Sequence, residues 1–310
     1  MPVMSRRSGY ALIIGASVLF ASTGVMSKAA IDGGITPIEL GAMRSYGAAL
    51  LLLPFLLPAI RRIRRAHIVP IALFALVGIV FAQGFYYQAI SRMDIAVALV
   101  IVYTGPLLVA AYQRLFHAER LPLIGYVAMC LAVGGVAATV LGGAGGVGAI
   151  SLVGVGFALL TACAFAGQAI LGARQPTSVP PLARTGVSML VAALLWLPIA
   201  PLWSLPYSVL DASTSLGGHI DASIPVGSAV VYAMVFGSVV PYVLLVIGFT
   251  RIGAGAGSMA GMAEPIVAPV LAWFALGESL APLQIAGIAL TVACVAIVER
   301  QRFQRARELL

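Results

Sequence analysis

Charge is the scarcest property of this sequence. Of 310 residues, 18 are Lys or Arg and 10 are Asp or Glu, so 9% of the chain is charged, against about 25% in a soluble globule. So few charges cannot solvate a folded chain of this length, which argues against a soluble enzyme or binding domain. Histidine is almost as rare: His67, His117 and His219 fall in loops or at the ends of apolar runs, and no Asp lies in the interior of such a run, Asp94 standing at the first position of one. An intramembrane metalloprotease, an aspartyl protease or a haem-binding subunit would need those side chains, so neither an enzyme nor a cofactor or metal site is expected. There is no Walker A sequence, so ATP is not expected to drive the chain directly, and no arginine ladder or filter-like loop speaks for a channel. The three cysteines, Cys130, Cys163 and Cys294, each sit in an apolar run. An odd number there builds no disulfide framework, and they read as small core residues.

What the chain has instead is long apolar runs. Hydrophobic residues make up 61% of it, with a mean hydropathy of +1.07. A membrane-spanning helix takes about 20 such residues. Ten stretches qualify, at 9–30, 36–58, 69–90, 94–116, 122–141, 150–173, 180–201, 225–249, 254–276 and 281–298, with 203–224 as the one long polar connection. Arg6-Arg7 followed by an apolar run is similar to a signal peptide, whose apolar region is about 7–15 residues. This run is longer and has a counterpart at 154–173, so it reads as a retained first helix.

The net charge of +8 does not point to nucleic acid, because the basic residues are spread over short connections. With the N-terminus in the cytoplasm, Arg6, Arg7, Arg61, Arg62, Arg64, Arg65, Arg114, Arg120, Arg174, Arg251, Arg300, Arg302, Arg305 and Arg307 all fall inside, and only Lys28 and Arg92 outside. That is the positive-inside pattern. It predicts a multi-pass protein of the lipid bilayer with both termini cytoplasmic and basic loops against anionic lipid.

The second half repeats the first. A shift of 159 positions carries Arg92 onto Arg251, Pro106 onto Pro265, Glu119 onto Glu278, and Leu131, Val133, Val136 and Ala137 onto Leu290, Val292, Val295 and Ala296. A shift of 145 pairs Gly9 with Gly154 and Phe20 with Phe165, and one of 140 pairs Arg44 with Arg184. Five spans per half is an odd number, so the halves 1–146 and 147–310 are predicted to enter the membrane in opposite senses: an all-α membrane protein of ten transmembrane helices as two inverted five-helix repeats, a pattern of secondary transporters. Between them, Gly142–Gly148 reads as a flexible hinge. Thr36-Pro37-Ile38-Glu39 reads as a helix start with a capping box, and Asp94 as a cap of the fourth span. Gly253, Gly257 and Gly261 recur every four residues and predict a smooth stripe for close helix packing or sliding.

An ionisable group inside a span costs about 2.5–3.5 kcal/mol on insertion scales, so each carries a functional hypothesis. Three such groups lie more than three residues from either end of a span: Arg44, Arg184 and Glu264. Glu264 precedes Pro265, which frees the carbonyl of Gly261 from the helix ladder, and a broken helix at mid-membrane suits a substrate or ion site. It reads as a contact for a substrate amine or as a proton-carrying carboxyl, or else as a buried structural acid. Arg44 and Arg184 read as tethers to neighbouring carbonyls, with Arg44 also a candidate for attracting a carboxylate. Further candidates for lining a substrate site are Thr23, Gln83, Tyr86, Tyr103, Gln168, Trp196 and Tyr242, while Pro106, Pro265, Arg184, Gly253, Gly257 and Gly261 are candidates for structural and hinge roles. Glu119 and Glu278 read as caps or loop anchors.

With Pro106 and Glu119 at the end of the fourth span, Ala263-Glu264-Pro265 and Leu276-Gly277-Glu278 in and after the ninth, and Arg44 and Arg184 in the second span of each half, the chain resembles the drug/metabolite transporter superfamily, specifically the EamA-type exporters. The Ala-Glu-Pro run is similar to the amino-acid exporter branch that includes threonine/homoserine exporters. The resemblance implies a central cavity formed by spans one, three, four, six, eight and nine, spans five and ten at the periphery, and export of small metabolites across a bacterial inner membrane. The first half departs from the second: Gly105-Pro106 stands where the second has Glu264-Pro265, so the acid is present once. The expected function is therefore alternating-access export of amino acids or similar small-molecule substrates, the alternative being export of drug-like or aromatic compounds, with a non-transporting membrane protein as the rival of another class. Substrate, coupling ion and oligomeric state stay open, protons and a homodimer being the coupling and assembly carried forward.

Overall fold

In hydrocarbon every backbone N–H and C=O must be satisfied within the chain, and the computed structural model answers with helices almost throughout. It describes residues 6–57, 63–116, 122–142, 151–173, 178–219, 222–252, 260–261 and 263–308. The elements are α1 (Arg6–Asp32), α2 (Pro37–Leu56), α3 (Arg65–Ala75) continued by a π-helical segment (Leu76–Phe81) into α4 (Ala82–Ile90), α5 (Ile95–Val102), α6 (Gly105–Phe116), α7 (Leu123–Leu141), α8 (Leu152–Ala173) and α9 (Pro181–Trp196). A two-stranded hairpin follows, β1 (Ser213–Leu216) and β2 (Ala222–Pro225). Then come α10 (Val226–Met234), a second π segment (Val235–Val239), α11 (Val240–Ile252), α12 (Glu264–Leu276) and α13 (Pro282–Glu308). Among the described residues six helices are long and apolar enough to cross a membrane by length and composition: Arg7–Asp32, Arg65–Ile90, Ile95–Phe116, Leu123–Leu141, Leu152–Gly172 and Val226–Leu245. Leu182–Trp196, Glu264–Leu276 and Pro282–Val298 are shorter apolar helices.

The apolar surface is turned outward as much as inward. Leu50, Leu115, Leu123, Val133, Leu152, Ile266 and Val270 are all exposed, a surface that would aggregate in water and that lipid accepts. The bundle is centred on α5, whose eight residues from Ile95 to Val102 are all buried. Around it α1 packs on α11 and α12, α4 on α8, and α2 on α9, while α7 and α13 pair with each other. The α7–α13 contact is close because glycines face each other there: a Cβ on Gly287 would stand 2.5 Å from the Gly135 carbonyl oxygen, and one on Gly135 would stand 2.8 Å from that of Gly287. Thr291 Oγ1 donates across the same seam to the Ala132 carbonyl at 3.3 Å.

The 203–224 connection is no free linker. Its hairpin is antiparallel, Ser213 opposite Pro225 and Leu216 opposite Ala222. It is strapped to two helix ends: Thr214 Oγ1 donates to the Ala29 carbonyl of α1 at 2.9 Å, and the His219 amide donates to the Phe274 carbonyl of α12 at 2.7 Å. Beneath the strap, α12 ends at Gly277 in the left-handed region (φ 70°), a conformation that favours glycine.

Several sequence expectations are met in detail and others are corrected. The capping box at α2 forms, with the Glu39 amide donating to Thr36 Oγ1 (3.3 Å) and the Thr36 amide to Glu39 Oε2 (2.9 Å). Asp94 holds the N-cap position of α5 but caps nothing with its side chain. Glu278 does that work from another part of the chain, Oε2 accepting from the Ile95 amide at 2.9 Å. Of the three cysteines, Cys294 is buried, whereas Cys130 and Cys163 are exposed on the outside of their helices; a small apolar side chain is as well placed against lipid as in a core. At Gly261 nothing among the described residues comes within 4 Å of an added Cβ, and a close glycine seam among the described residues lies at Gly135–Gly287. Gly253, Gly257 and, in the hinge, Gly143–Gly148 lie outside the described residues, as does Glu119.

Candidate functional site

Two helix breaks build the site. After α5 the chain turns at Tyr103-Thr104 and restarts as α6 at Gly105-Pro106; before α12 it turns at Ala263 and restarts at Glu264-Pro265. In each case proline withholds the N–H that would continue the ladder. The carbonyl that Pro265 releases, that of Gly261, is taken by Ser17 Oγ of α1 at 3.2 Å. The breaks bring Tyr103 and Glu264 together: the Tyr103 hydroxyl donates to Glu264 Oε2 at 2.8 Å. Glu264 sits in the first turn of α12, where the positive end of the helix dipole favours a carboxylate. It is half-buried, and among the described residues its second oxygen, Oε1, has no hydrogen-bond partner.

A second pair of irregularities sits alongside. The π segments fall at corresponding places in the two halves, Leu76–Phe81 and Val235–Val239, and a polar side chain from another helix takes a carbonyl of each. Gln168 Nε2 donates to Gly78 O at 2.7 Å. Arg44 Nη2 donates to Gly237 O, the carbonyl four residues before Pro241 and so without its ladder partner. Arg44 also donates from Nε to Ser238 Oγ at 2.6 Å and from Nη1 to the Tyr87 hydroxyl at 2.7 Å. The guanidinium is 8% exposed, and all three nitrogens are engaged by the protein. Arg44 and Glu264 lie within electrostatic reach of each other without forming an ion pair; among the described residues the ion pair is Lys28–Glu278.

Aromatic side chains surround the acid. Tyr86, Tyr103 and Tyr242 lie within electrostatic reach of Glu264. Tyr242 meets the Gln168 side chain and the edge of Phe20, ring centroids 5.8 Å apart at 86°. Tyr86 leans on Tyr87, 5.8 Å between centroids, and its hydroxyl lies against Gly24 of α1. The assembly offers one available carboxylate oxygen, several phenol groups and a guanidinium already bound. It suits a small ligand carrying positive charge and an apolar body.

Not every candidate from the sequence takes part. Glu264, Tyr86, Tyr103, Gln168, Tyr242 and Arg44 come together; Pro106 and Pro265 stand at the breaks. Thr23 donates to the Leu19 carbonyl of its own helix at 2.7 Å and packs its methyl on Gly237. Gln83 Oε1 is buried without a hydrogen-bond partner among the described residues. Trp196 is buried against Gly41 and Gly84, a packing role between α9, α2 and α4, with its indole Nε1 also unpartnered. Arg184, placed within a span by the sequence, is half-buried in the first turn of α9, where its amide bonds the Pro180 carbonyl. Ser17, Tyr87 and Ser238 were not among the expected residues, although their hydroxyls meet the groups that Pro265 and Arg44 bring in; nothing local to them in the sequence points to partners on other helices. Also unforeseen is the Lys28–Glu278 pair, Nζ to Oε1 at 2.8 Å, with Lys28 donating as well to the Met93 carbonyl at 3.3 Å. There burial pushes the Glu278 carboxyl above its ordinary range, against the pull of the Lys28 ammonium.

Comparison with known proteins agrees with this architecture. The model of the EamA-like transporter family matches residues 7–141 and again 152–300. The uncharacterized transporter YwfM of Bacillus subtilis (strain 168) is 26% identical over 296 residues, covering 93% of each chain. The threonine/homoserine exporter RhtA of Escherichia coli (strain K12) is 27% identical over 281 residues, covering 89% of this chain and 88% of that one. A solved crystal structure superposes with a TM-score of 0.60 at 18% identity over 97% of this chain and 99% of its own, a likeness of fold.

Proposed function

This chain belongs to the EamA-like transporter family, and on that footing we propose that it is a secondary transporter exporting amino acids or similarly small metabolites across a bacterial inner membrane by alternating access. The observation that carries the proposal is Glu264: a half-buried carboxylate at a helix break, held by Tyr103 through one oxygen with the other unengaged among the described residues, and surrounded by tyrosines. An α-amino group is the natural complement of such an oxygen. The similarity to RhtA supports amino acids as the substrate class.

The proposal includes ten spans in two inverted repeats, 1–146 and 147–310. Supporting this are the two separate matches of the family model, the π segments and helix breaks at corresponding places, and the contact between Thr291 and Ala132. Those two residues correspond under the 159 shift, and equivalent residues touch where a two-fold axis passes between them. The distribution of arginines supports cytoplasmic termini. Proton coupling through Glu264 and a homodimer complete the proposal.

A second reading, export of aromatic or cationic drug-like compounds, is favoured by the phenol rings around Glu264. A strain overproducing the protein separates the two. The amino-acid reading expects resistance to toxic amino-acid analogues and raised extracellular amino acids. Resistance to cationic dyes alone would favour the second, and resistance to neither, with normal protein levels, would remove both.

A further inference from the structure

The opposite charges near the site are not equally available. Every nitrogen of the Arg44 guanidinium is engaged, by Ser238 Oγ, the Tyr87 hydroxyl and Gly237 O, and the side chain is almost wholly covered. Lys28 is held by Glu278 and the Met93 carbonyl at the hairpin end. Glu264, in contrast, spends one oxygen on Tyr103 and keeps Oε1 unengaged among the described residues. A ligand carboxylate arriving here would find phenol hydroxyls and, among the described residues around Glu264, no unengaged cation; a ligand ammonium would find a carboxylate oxygen and aromatic faces.

Resting on the reading of this protein as an amino-acid exporter, we infer that the site recognises its substrate through a primary ammonium group and does not read the carboxylate as a charge. The substrate class is then the small primary amines with a short, uncharged or zwitterionic remainder: amino acids, and equally their amides and esters. Hydrogen bonds to a charged group contribute about 1.5–3 kcal/mol and neutral ones about 0.5–1.5. With 1.4 kcal/mol per factor of ten, removing the ammonium charge should weaken recognition by roughly 10- to 100-fold. Masking the carboxylate should weaken it by no more than about 10-fold.

The test uses the full-length protein in liposomes, with counterflow of radiolabelled threonine measured against protein-free liposomes. Unlabelled threonine, threonine amide and N-acetylthreonine compete. Threonine amide should compete within about 10-fold of threonine, and N-acetylthreonine should need concentrations about 10- to 100-fold higher for the same effect. If N-acetylthreonine competes as well as threonine while the amide does not, the carboxylate is the recognised group: the inference is overturned and the amino-acid reading survives. If labelled threonine, and other labelled amino acids tried in its place, do not exchange above protein-free liposomes, the amino-acid reading fails and takes the inference with it.

Discussion

Replacing Arg44 by alanine separates a tether from a ligand. The substitution removes donors from Ser238 Oγ, the Tyr87 hydroxyl and Gly237 O. The loss is largest at Gly237, because its ladder partner is already replaced by Pro241 and a buried carbonyl left without a donor costs about 1–3 kcal/mol. The other two bonds, on the scale of side-chain hydrogen bonds between membrane helices, contribute about 0.6 kcal/mol each. Together that is a loss of about 2–4 kcal/mol, before the cavity left by the side chain is counted. Against it stands recovery of the cost of holding a charge in a span, about 2.5–3.5 kcal/mol on insertion scales. That recovery is small here, since insertion has already occurred when a folded protein is heated and the unfolded helix can turn the arginine towards water. Arg44→Ala should therefore melt several degrees lower in detergent and accumulate to lower levels. Flux per folded molecule should stay within a few-fold of the original. Arg44→Lys, which keeps the charge and reaches one partner in place of three, should be intermediate in stability. Thermal unfolding followed by size-exclusion, with flux normalised to folded protein, reads both quantities. An unchanged melting temperature with abolished flux would refute the tether and make Arg44 a substrate ligand.

In a background with Cys130, Cys163 and Cys294 replaced, Ser213→Cys in the exposed hairpin should label with an impermeant thiol reagent in intact cells; labelling only after permeabilisation would reverse the proposed orientation. Gly287→Ala puts a methyl 2.5 Å from the Gly135 carbonyl, so α7 and α13 must part, at about 1–3 kcal/mol for overpacking; an unchanged melting temperature would mean that the seam is not close. The Glu278 carboxyl titrates above its ordinary range because burial outweighs Lys28. Its folded-state pKa thus exceeds the unfolded one, and its contribution to stability, present below the unfolded pKa, is lost as pH rises through the folded value. Melting temperature should fall over that window in the wild type and less in Glu278→Gln; identical pH profiles would remove the residue from the balance.

The fold was legible because lipid imposes length and polarity on each span. The runs at 122–141 and 150–173 became α7 and α8 almost residue for residue, and the Thr36–Glu39 cap formed as local chemistry dictates. Glu264 was legible for the same reason: a carboxylate beside a proline in an apolar run stands out. What escaped was long-range pairing. Nothing local to Asp94 says that Glu278, far along the chain, will cap its helix, and nothing local to Gly237 says that Arg44 will bond its carbonyl. Among the described residues a close glycine seam forms at Gly135 and Gly287, one on each of two helices, where periodicity within one helix carries no signal. The π segments likewise leave no mark on an unbroken apolar run.

The most direct test is threonine efflux from proteoliposomes holding the wild-type protein or Glu264→Gln, which keeps the shape and the Tyr103 contact and removes the charge. Efflux by the wild type should be saturable and well above that of protein-free liposomes. Glu264→Gln, folded and present at equal amount, should fall by roughly 10-fold or more, the loss of one charge-assisted hydrogen bond to the substrate. Equal efflux by the two proteins would contradict a substrate site built on Glu264.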